Sequence, residues 1–228
     1  MDWYDIDGNI QWKDQEGELK IGDKTYQSLG KNVIVGTHNR DASGNEPVNT
    51  AQFDLYLESN KNGPSATIKG NTVPADITKY GTLAEGLYPA EFGSRASYVA
   101  KGKEDLAILI NKGGELPTVF GNPNKKNSDM LTGVFFHAGN NYQESLFDSK
   151  GNAYSKGCQT GGSYAGAKEK HNAFMKIAGT DFNGNYYLRA KPSPAAKNDR
   201  LSFKDIPMHY LVPADVVSRI RIQTPLKK

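Results

Sequence analysis

The sequence predicts a mainly β fold, a sandwich or barrel-like sheet with one principal helix. Glycine occupies 24 of the 228 positions, and Asn-Gly, Gly-Asn and Asp-Gly pairs divide the chain into short segments. Such pairs favour tight turns because Gly and Asn tolerate positive φ. The segments between them resemble strands, and 51–58 alternates apolar and polar residues as a half-buried strand does. We therefore expect short strands joined by turns.

Further short runs with strand character occur along the chain. The run 106–110 is apolar throughout, which is typical of a central strand. A short helix at 213–218 and a final strand at 220–222 are also predicted. The other predicted strands lie at 33–37, 66–70, 87–90, 134–136 and, after a turn, within 182–189.

The principal helix is predicted over 164–177, where apolar residues recur on one face. Ser163 is a suitable N-cap and Gly179 a C-terminal stop. Two histidines outside the site described below are expected at the surface, His38 in a loop and His171 on the exposed face of this helix. If the intervening glycines bring the helix N-terminus near Cys158, its dipole would lower the pKa of the thiol.

The length favours one domain, or one domain with a small appendage. Residues 1–32 form the candidate appendage, and 5–12 contains an Asp-Gly pair that predicts a hairpin. This segment is either an N-terminal hairpin of the same domain or a junction between a delivery module and its cargo. The main domain is then 33–228.

Composition narrows the classes of function. The net charge is +3, and the charges are dispersed, so we expect no nucleic-acid partner. A slightly basic protein would suit an acidic polymer such as a cell wall. No apolar run approaches the ~20 residues of a membrane span, and no signal peptide is visible, so we expect no membrane insertion. We find no metal-ligand spacing or phosphate loop, and we expect no cofactor.

Cys158 is the only cysteine of the chain and lies in a polar, glycine-rich turn, Ser155-Lys156-Gly157-Cys158-Gln159-Thr160-Gly161-Gly162. It has no partner for an internal disulfide. A structural cysteine is usually placed among apolar residues, whereas this context predicts a thiol presented at a surface or cleft. A lone cysteine together with histidines elsewhere is a recognised pattern for a nucleophile. The alternative is an incidental thiol on a loop.

His137 directly follows the apolar run 134–136, which predicts a buried strand with the imidazole at its end. An imidazole held rigidly at the mouth of a strand can take the proton of a nearby thiol and form a thiolate–imidazolium pair. The alternative is a histidine that merely caps the strand.

The segment His137-Ala138-Gly139-Asn140, followed about twenty residues later by Ser155-Lys156-Gly157-Cys158, resembles the catalytic signature of the L,D-transpeptidase (YkuD-like) superfamily. The likeness is greatest to its shorter, divergent members, including peptidoglycan-targeting toxins delivered between bacteria. The segment 83–92, which contains Gly86-Leu87-Tyr88-Pro89, resembles a hairpin of these domains, and the resemblance covers roughly 50–190. The sequence departs from the family pattern at Lys156, where a second histidine is usual. Gln159 and Thr160 stand where an arginine or asparagine is expected.

The resemblance implies a cysteine enzyme that acts on peptidoglycan stem peptides, as an L,D-carboxypeptidase or an L,D-transpeptidase, without a cofactor. Cys158 would be the nucleophile and His137 the general base, with the Gly157-Cys158 turn as oxyanion site. It further implies an antibacterial secreted effector that acts in the target-cell periplasm and is paired with an immunity protein. The tryptophan-containing opening of the chain resembles segments that precede toxin domains in type VI secreted effectors. The residues expected to bind substrate are Gly157, Ser155, Lys156, Gln159, Asn140 and Tyr142.

Two other functions fit the same residues. The first is a peptidase or amidase that uses the same Cys-His pair on other peptides. The second is a non-catalytic β-rich module that binds the cell wall.

Overall fold

A computed structural model describes residues 1–38, 51–72, 81–102, 105–119, 130–139, 157–162 and 166–190. This part of the chain is mainly β, as predicted. The predicted helix at 213–218 and strand at 220–222 lie outside the described residues.

Fifteen strands and two α-helices occur in the described ranges, with a 3-10 turn at Asn111–Gly113. The strands predicted from 33 to 110 are confirmed with small shifts at their ends. The strands are β1 Asp2–Ile6, β2 Asn9–Lys13, β3 Glu18–Ile21, β4 Lys24–Gly30, β5 Val33–His38, β6 Ala51–Tyr56, β7 Ala66–Asn71, β8 Thr82–Leu83, β9 Gly86–Gly93, β10 Ala107–Ile110, β11 Leu116–Val119, β12 Met130–Leu131, β13 Phe135–Ala138, β14 Gln159–Gly161 and β15 Asn183–Ala190, and the helices are α1 Ala96–Val99 and α2 Ala167–Ala178.

Eight strands close into a barrel in the order β10-β13-β14-β7-β6-β5-β15-β9. Two of its pairs are parallel, β13 with β14 and β5 with β15, and the other barrel pairs are antiparallel. A closed barrel leaves none of these strands with an unpaired edge. The backbone amides of the central strands are therefore satisfied within the sheet.

Aromatic rings fill the barrel interior. The rings of Phe53 and Phe136 lie 4.7 Å apart between centroids, and Phe136 meets Phe174 of α2 at 5.6 Å. Tyr186 is also fully buried in this core. Each such ring removes roughly 150–250 Å² from water, which makes this cluster the main apolar contribution to stability.

Helix α2 is the predicted principal helix, and it begins and ends slightly later than expected. Gly166 occupies the N-cap with φ of 75°, and Ser163 lies outside the described residues. Gly179 ends the helix as predicted, with φ of 85°. Its buried residues include Phe174 and Met175, which pack into the barrel core.

The N-terminal residues form a separate four-stranded sheet in the order β2-β1-β4-β3. The predicted hairpin is present, with Asp7 and Gly8 both at positive φ in its turn. Trp3 packs on Tyr56 of the barrel strand β6 at 4.8 Å between centroids. Asp5 pairs with Arg189 of β15 at 2.8 Å. This sheet is therefore attached to the outside of the barrel by both apolar and charged contacts.

A third, small sheet has the order β12-β11-β8. Its residues Leu83, Leu116 and Leu131 are buried in the main core. Leu131 also borders the cysteine-containing turn, since a Cβ built on Gly157 would lie 3.1 Å from its Cδ2 atom. This sheet therefore supports the turn from one side.

We expect the Trp3→Ala variant to lower the free energy of unfolding by about 3–5 kcal/mol, because it leaves a cavity between the N-terminal sheet and the barrel. Chemical denaturation measures this loss, and Ile21→Ala is the matched control because Ile21 is 45% exposed. Hydrogen exchange in β5 should rise in the same variant. A Trp3→Ala protein in which only residues 1–30 lose protection would show that this sheet is an independent unit.

Candidate active site

The parallel pairing of β13 with β14 brings the two predicted catalytic residues close together. Phe136 pairs with Gln159, and His137 pairs with Thr160. Cys158 comes one residue before β14 and so lies level with the residue two positions before His137. Side chains alternate along a strand, so residues two apart share a face of the sheet. Cys158 and His137 are thus diagonal neighbours.

Strand geometry gives the scale of this separation. Neighbouring strands lie about 4.8 Å apart and two residues advance about 6.6 Å, which puts the two Cα atoms about 8 Å apart. The charges of Arg95 and Asp105 influence the pKa values of both His137 and Cys158, so one electrostatic environment contains both groups. The side chains of a cysteine and a histidine can meet across this distance.

His137 was predicted to follow the strand, but it is the third residue of β13, because the ladder to β14 continues through Ala138. It is only 8% exposed. Its Nδ1 atom has two close neighbours, the carbonyl oxygen of Ala138 at 2.7 Å and Nη1 of Arg95 at 3.0 Å. The described residues provide no hydrogen-bond partner for Nε2.

Arg95 and Asp105 form a charged pair beside this histidine. Arg95 follows β9 and Asp105 precedes β10, and the register of Gly93 with Ala107 sets the two residues opposite each other. The guanidinium Nη2 and Nε donate to the carboxylate at 2.5 to 3.1 Å, and the Arg95 backbone N–H donates to it at 2.6 Å. Neither residue was predicted from the sequence, because only the pairing of the two strands brings them together.

Burial dominates the protonation of the site. It lowers the pKa of His137 to about 3, with a further lowering by the Arg95 charge. It raises the pKa of the Cys158 thiol, although the Phe135 backbone and Arg95 act in the opposite direction. The resting pair is therefore a neutral thiol and a neutral imidazole, and the preformed thiolate–imidazolium pair that we expected is not favoured.

Gln159 does not face the site. It is fully buried, accepts a hydrogen bond from the Tyr186 hydroxyl at 3.0 Å, and donates through Nε2 to the Gly157 carbonyl at 3.4 Å. Gln159 was predicted to contact substrate, but its side chain instead supports the turn from the barrel interior. Gly157 has φ of 120°, a conformation that favours glycine.

Four of the predicted substrate-binding residues lie outside the described residues, namely Ser155, Lys156, Asn140 and Tyr142.

Two further histidines, His38 and His171, were predicted at the surface, and both are buried. His171 donates through Nε2 to the Leu106 carbonyl at 2.9 Å, and its Nδ1 atom is buried without a partner. His38 is the last residue of β5, is 3% exposed, and lies with Nε2 2.8 Å from Glu85. Local polarity suggested exposure in both cases, but a residue distant in the chain, Leu106 or Glu85, provides a partner for Nε2 of each ring.

Within the described ranges, no group of three or more His, Cys, Asp or Glu side chains could hold a metal ion. None of the helices described is long and apolar enough to cross a membrane.

Comparison with known proteins finds no match among family models, curated proteins or solved structures.

The buried histidines make stability depend on pH. The folded-state pKa values of His137 (about 3) and His171 (about 4) lie below the unfolded value of 6.5, so each stabilises the fold above pH 6.5 and loses this contribution as the pH falls. Each contributes a slope of about 1.4 kcal/mol per pH unit between pH 6 and 5. We expect His171→Gln to reduce the slope of unfolding free energy against pH by about this amount.

Urea denaturation at several pH values measures this slope, and Lys176→Gln on the same helix is the control. An unchanged slope in His171→Gln would mean that His171 is protonated in the folded protein.

Proposed function

We propose that this protein is a cysteine-dependent enzyme that acts on peptidoglycan stem peptides, as an L,D-carboxypeptidase, an L,D-transpeptidase or both. The observation that carries the proposal is the placement of the lone thiol one residue before β14, diagonally beside His137 of the parallel neighbour β13. The resemblance of the His137 and Cys158 segments to the L,D-transpeptidase signature supplies the substrate class. The slightly basic net charge of +3 suits an acidic wall polymer.

The chemistry proceeds through an acyl-enzyme. The sulfur of Cys158 attacks the carbonyl that precedes a D-amino acid while His137 takes the thiol proton. Because thiol and imidazole are both neutral at rest, proton transfer accompanies the attack. The oxyanion forms beside the backbone of the Gly157-Cys158 turn. The imidazolium then protonates the leaving amine, and water or a second amine resolves the thioester.

The biological setting follows from the resemblance to toxins. In this proposal the protein is an antibacterial effector delivered to the periplasm of a target cell, by a route such as type VI secretion. An immunity protein in the producing cell would block the site. Loss of donor peptides from the wall would then weaken its cross-links.

Incubation of the wild-type protein with purified tetrapeptide and pentapeptide stems should yield shortened or joined peptides, detected by mass spectrometry. Cys158→Ala should lower product formation by at least about a thousandfold, because it removes the nucleophile. Lys69→Ala, an exposed change on β7, is the control. Cleavage of casein instead of stem peptides would indicate a general peptidase. Wall binding that is equal in wild type and Cys158→Ala, without products, would indicate a binding module.

His137→Gln should lower kcat about 10²- to 10⁴-fold with a smaller effect on KM, because a general base acts mainly in the transition state. Steady-state kinetics on the stem peptide cleaved by wild type measures the effect. If His137→Gln retains full kcat, another group is the base.

A further inference from the structure

The Nδ1 atom of His137 has one neighbour that can only accept a hydrogen bond and one that can only donate. The Ala138 carbonyl oxygen, 2.7 Å away, requires a proton on Nδ1. The Arg95 guanidinium, with Nη1 at 3.0 Å, requires a bare lone pair there. A neutral imidazole satisfies one of the two contacts in each tautomer. The imidazole can therefore adopt either of two tautomers, one for each contact.

The contact with Arg95 is 0.3 Å longer than the contact with the Ala138 oxygen, but its donor is charged. A hydrogen bond from a charged donor is roughly twice as strong as one between neutral groups. Asp105 holds the guanidinium in place through Nη2 and Nε, which leaves Nη1 directed at the imidazole. In the preferred state Nδ1 accepts from Arg95, and Nε2 carries the only imidazole proton.

We propose that Arg95, held by Asp105, donates to the basic lone pair of His137, so that the histidine becomes a base only when the guanidinium moves away. This inference rests on the proposed function, in that it takes His137 as the base for Cys158. Arg95 is thus a positioning residue that controls the tautomer of the imidazole.

When Arg95 moves away, His137 can act as the base for Cys158. Nδ1–H then donates to the Ala138 oxygen, and the lone pair appears on Nε2, for which the described residues provide no partner. The S–H bond of Cys158 breaks, its proton passes to Nε2, and the sulfur electron pair attacks the substrate carbonyl. The resulting imidazolium keeps its bond to Ala138.

The charged and titratable groups around His137 support this role. Arg95 and His171 disfavour the imidazolium, whereas Asp105 favours it. The side chains of Arg95 and Asp105 are 17% and 5% exposed, so water screens the pair only partly. Loss of one partner would leave an uncompensated charge, and a clean test must therefore remove both charges together.

The tautomer of His137 can be measured directly in the wild-type protein. Nitrogen-15 NMR of the imidazole should show a proton on Nε2 and a bare Nδ1 at neutral pH. A spectrum with the proton on Nδ1 would overturn the proposal. This measurement needs neither a variant nor a substrate.

The second test is the alkylation of Cys158 by iodoacetamide at pH 7. The double variant Arg95→Gln/Asp105→Asn frees the imidazole lone pair, and we expect its alkylation rate to exceed that of wild type by at least about tenfold, equivalent to one pKa unit. Adding His137→Gln should abolish the gain. The matched control is Arg189→Gln/Asp5→Asn, a similarly buried pair remote from Cys158, which should leave the rate unchanged.

Two results would contradict the proposal: an unchanged alkylation rate in the double variant, and a gain that persists with His137→Gln. If the alkylation rate is unchanged and KM for stem peptides rises, Arg95 is instead a substrate anchor. Thermal melts check that each variant is folded. Cleavage of stem peptides by wild type decides the proposed function separately, because alkylation and NMR need no substrate.

Discussion

The parallel pairing of β13 with β14 is the constraint on which the candidate site depends. It fixes His137 and Cys158 as diagonal neighbours although 20 residues separate them in the chain. The same ladder places Phe136 and Gln159 on the opposite face, toward the aromatic core. One strand pair thus provides both the reactive face and the apolar support behind it, so the geometry of the thiol is tied to the packing of the barrel.

The group in contact with the His137 imidazole is positively charged, whereas in many Cys-His sites a carboxylate orients the histidine. A carboxylate would stabilise the imidazolium and favour a thiolate at rest. Here a guanidinium contacts the ring, and the carboxylate of Asp105 lies behind it. The combination favours a neutral, weakly reactive thiol, which protects a lone cysteine against chance alkylation or oxidation.

The sequence was informative where structure is set locally. The Asp7-Gly8 turn, the alternating strand β6 and the end of α2 at Gly179 follow from nearby residues. Side-chain contacts between residues far apart in the chain depend on strand register and could not be predicted from nearby residues. Arg95 meets His137 across 42 residues, and His171 meets Leu106 across 65.

The mainly β class was therefore predictable, whereas the barrel's strand order and the burial of three histidines were not. The catalytic roles of Cys158 and His137 remain predictions from the sequence, and the structure adds the neighbouring charges of Arg95 and Asp105. Asn140, Tyr142, Ser155 and Lys156 remain predictions.

Strand β15 has a consequence for the order in which the molecule can form. It is the last strand described, yet it lies between β5 and β9 and pairs with both along most of their length. Until residues 183–190 have been synthesised, those two strands present open backbone edges that can pair with other chains. A shortened chain that ends before Asn183 is for this reason an aggregation hazard, and it would lose the anchor that Arg189 gives to the N-terminal sheet.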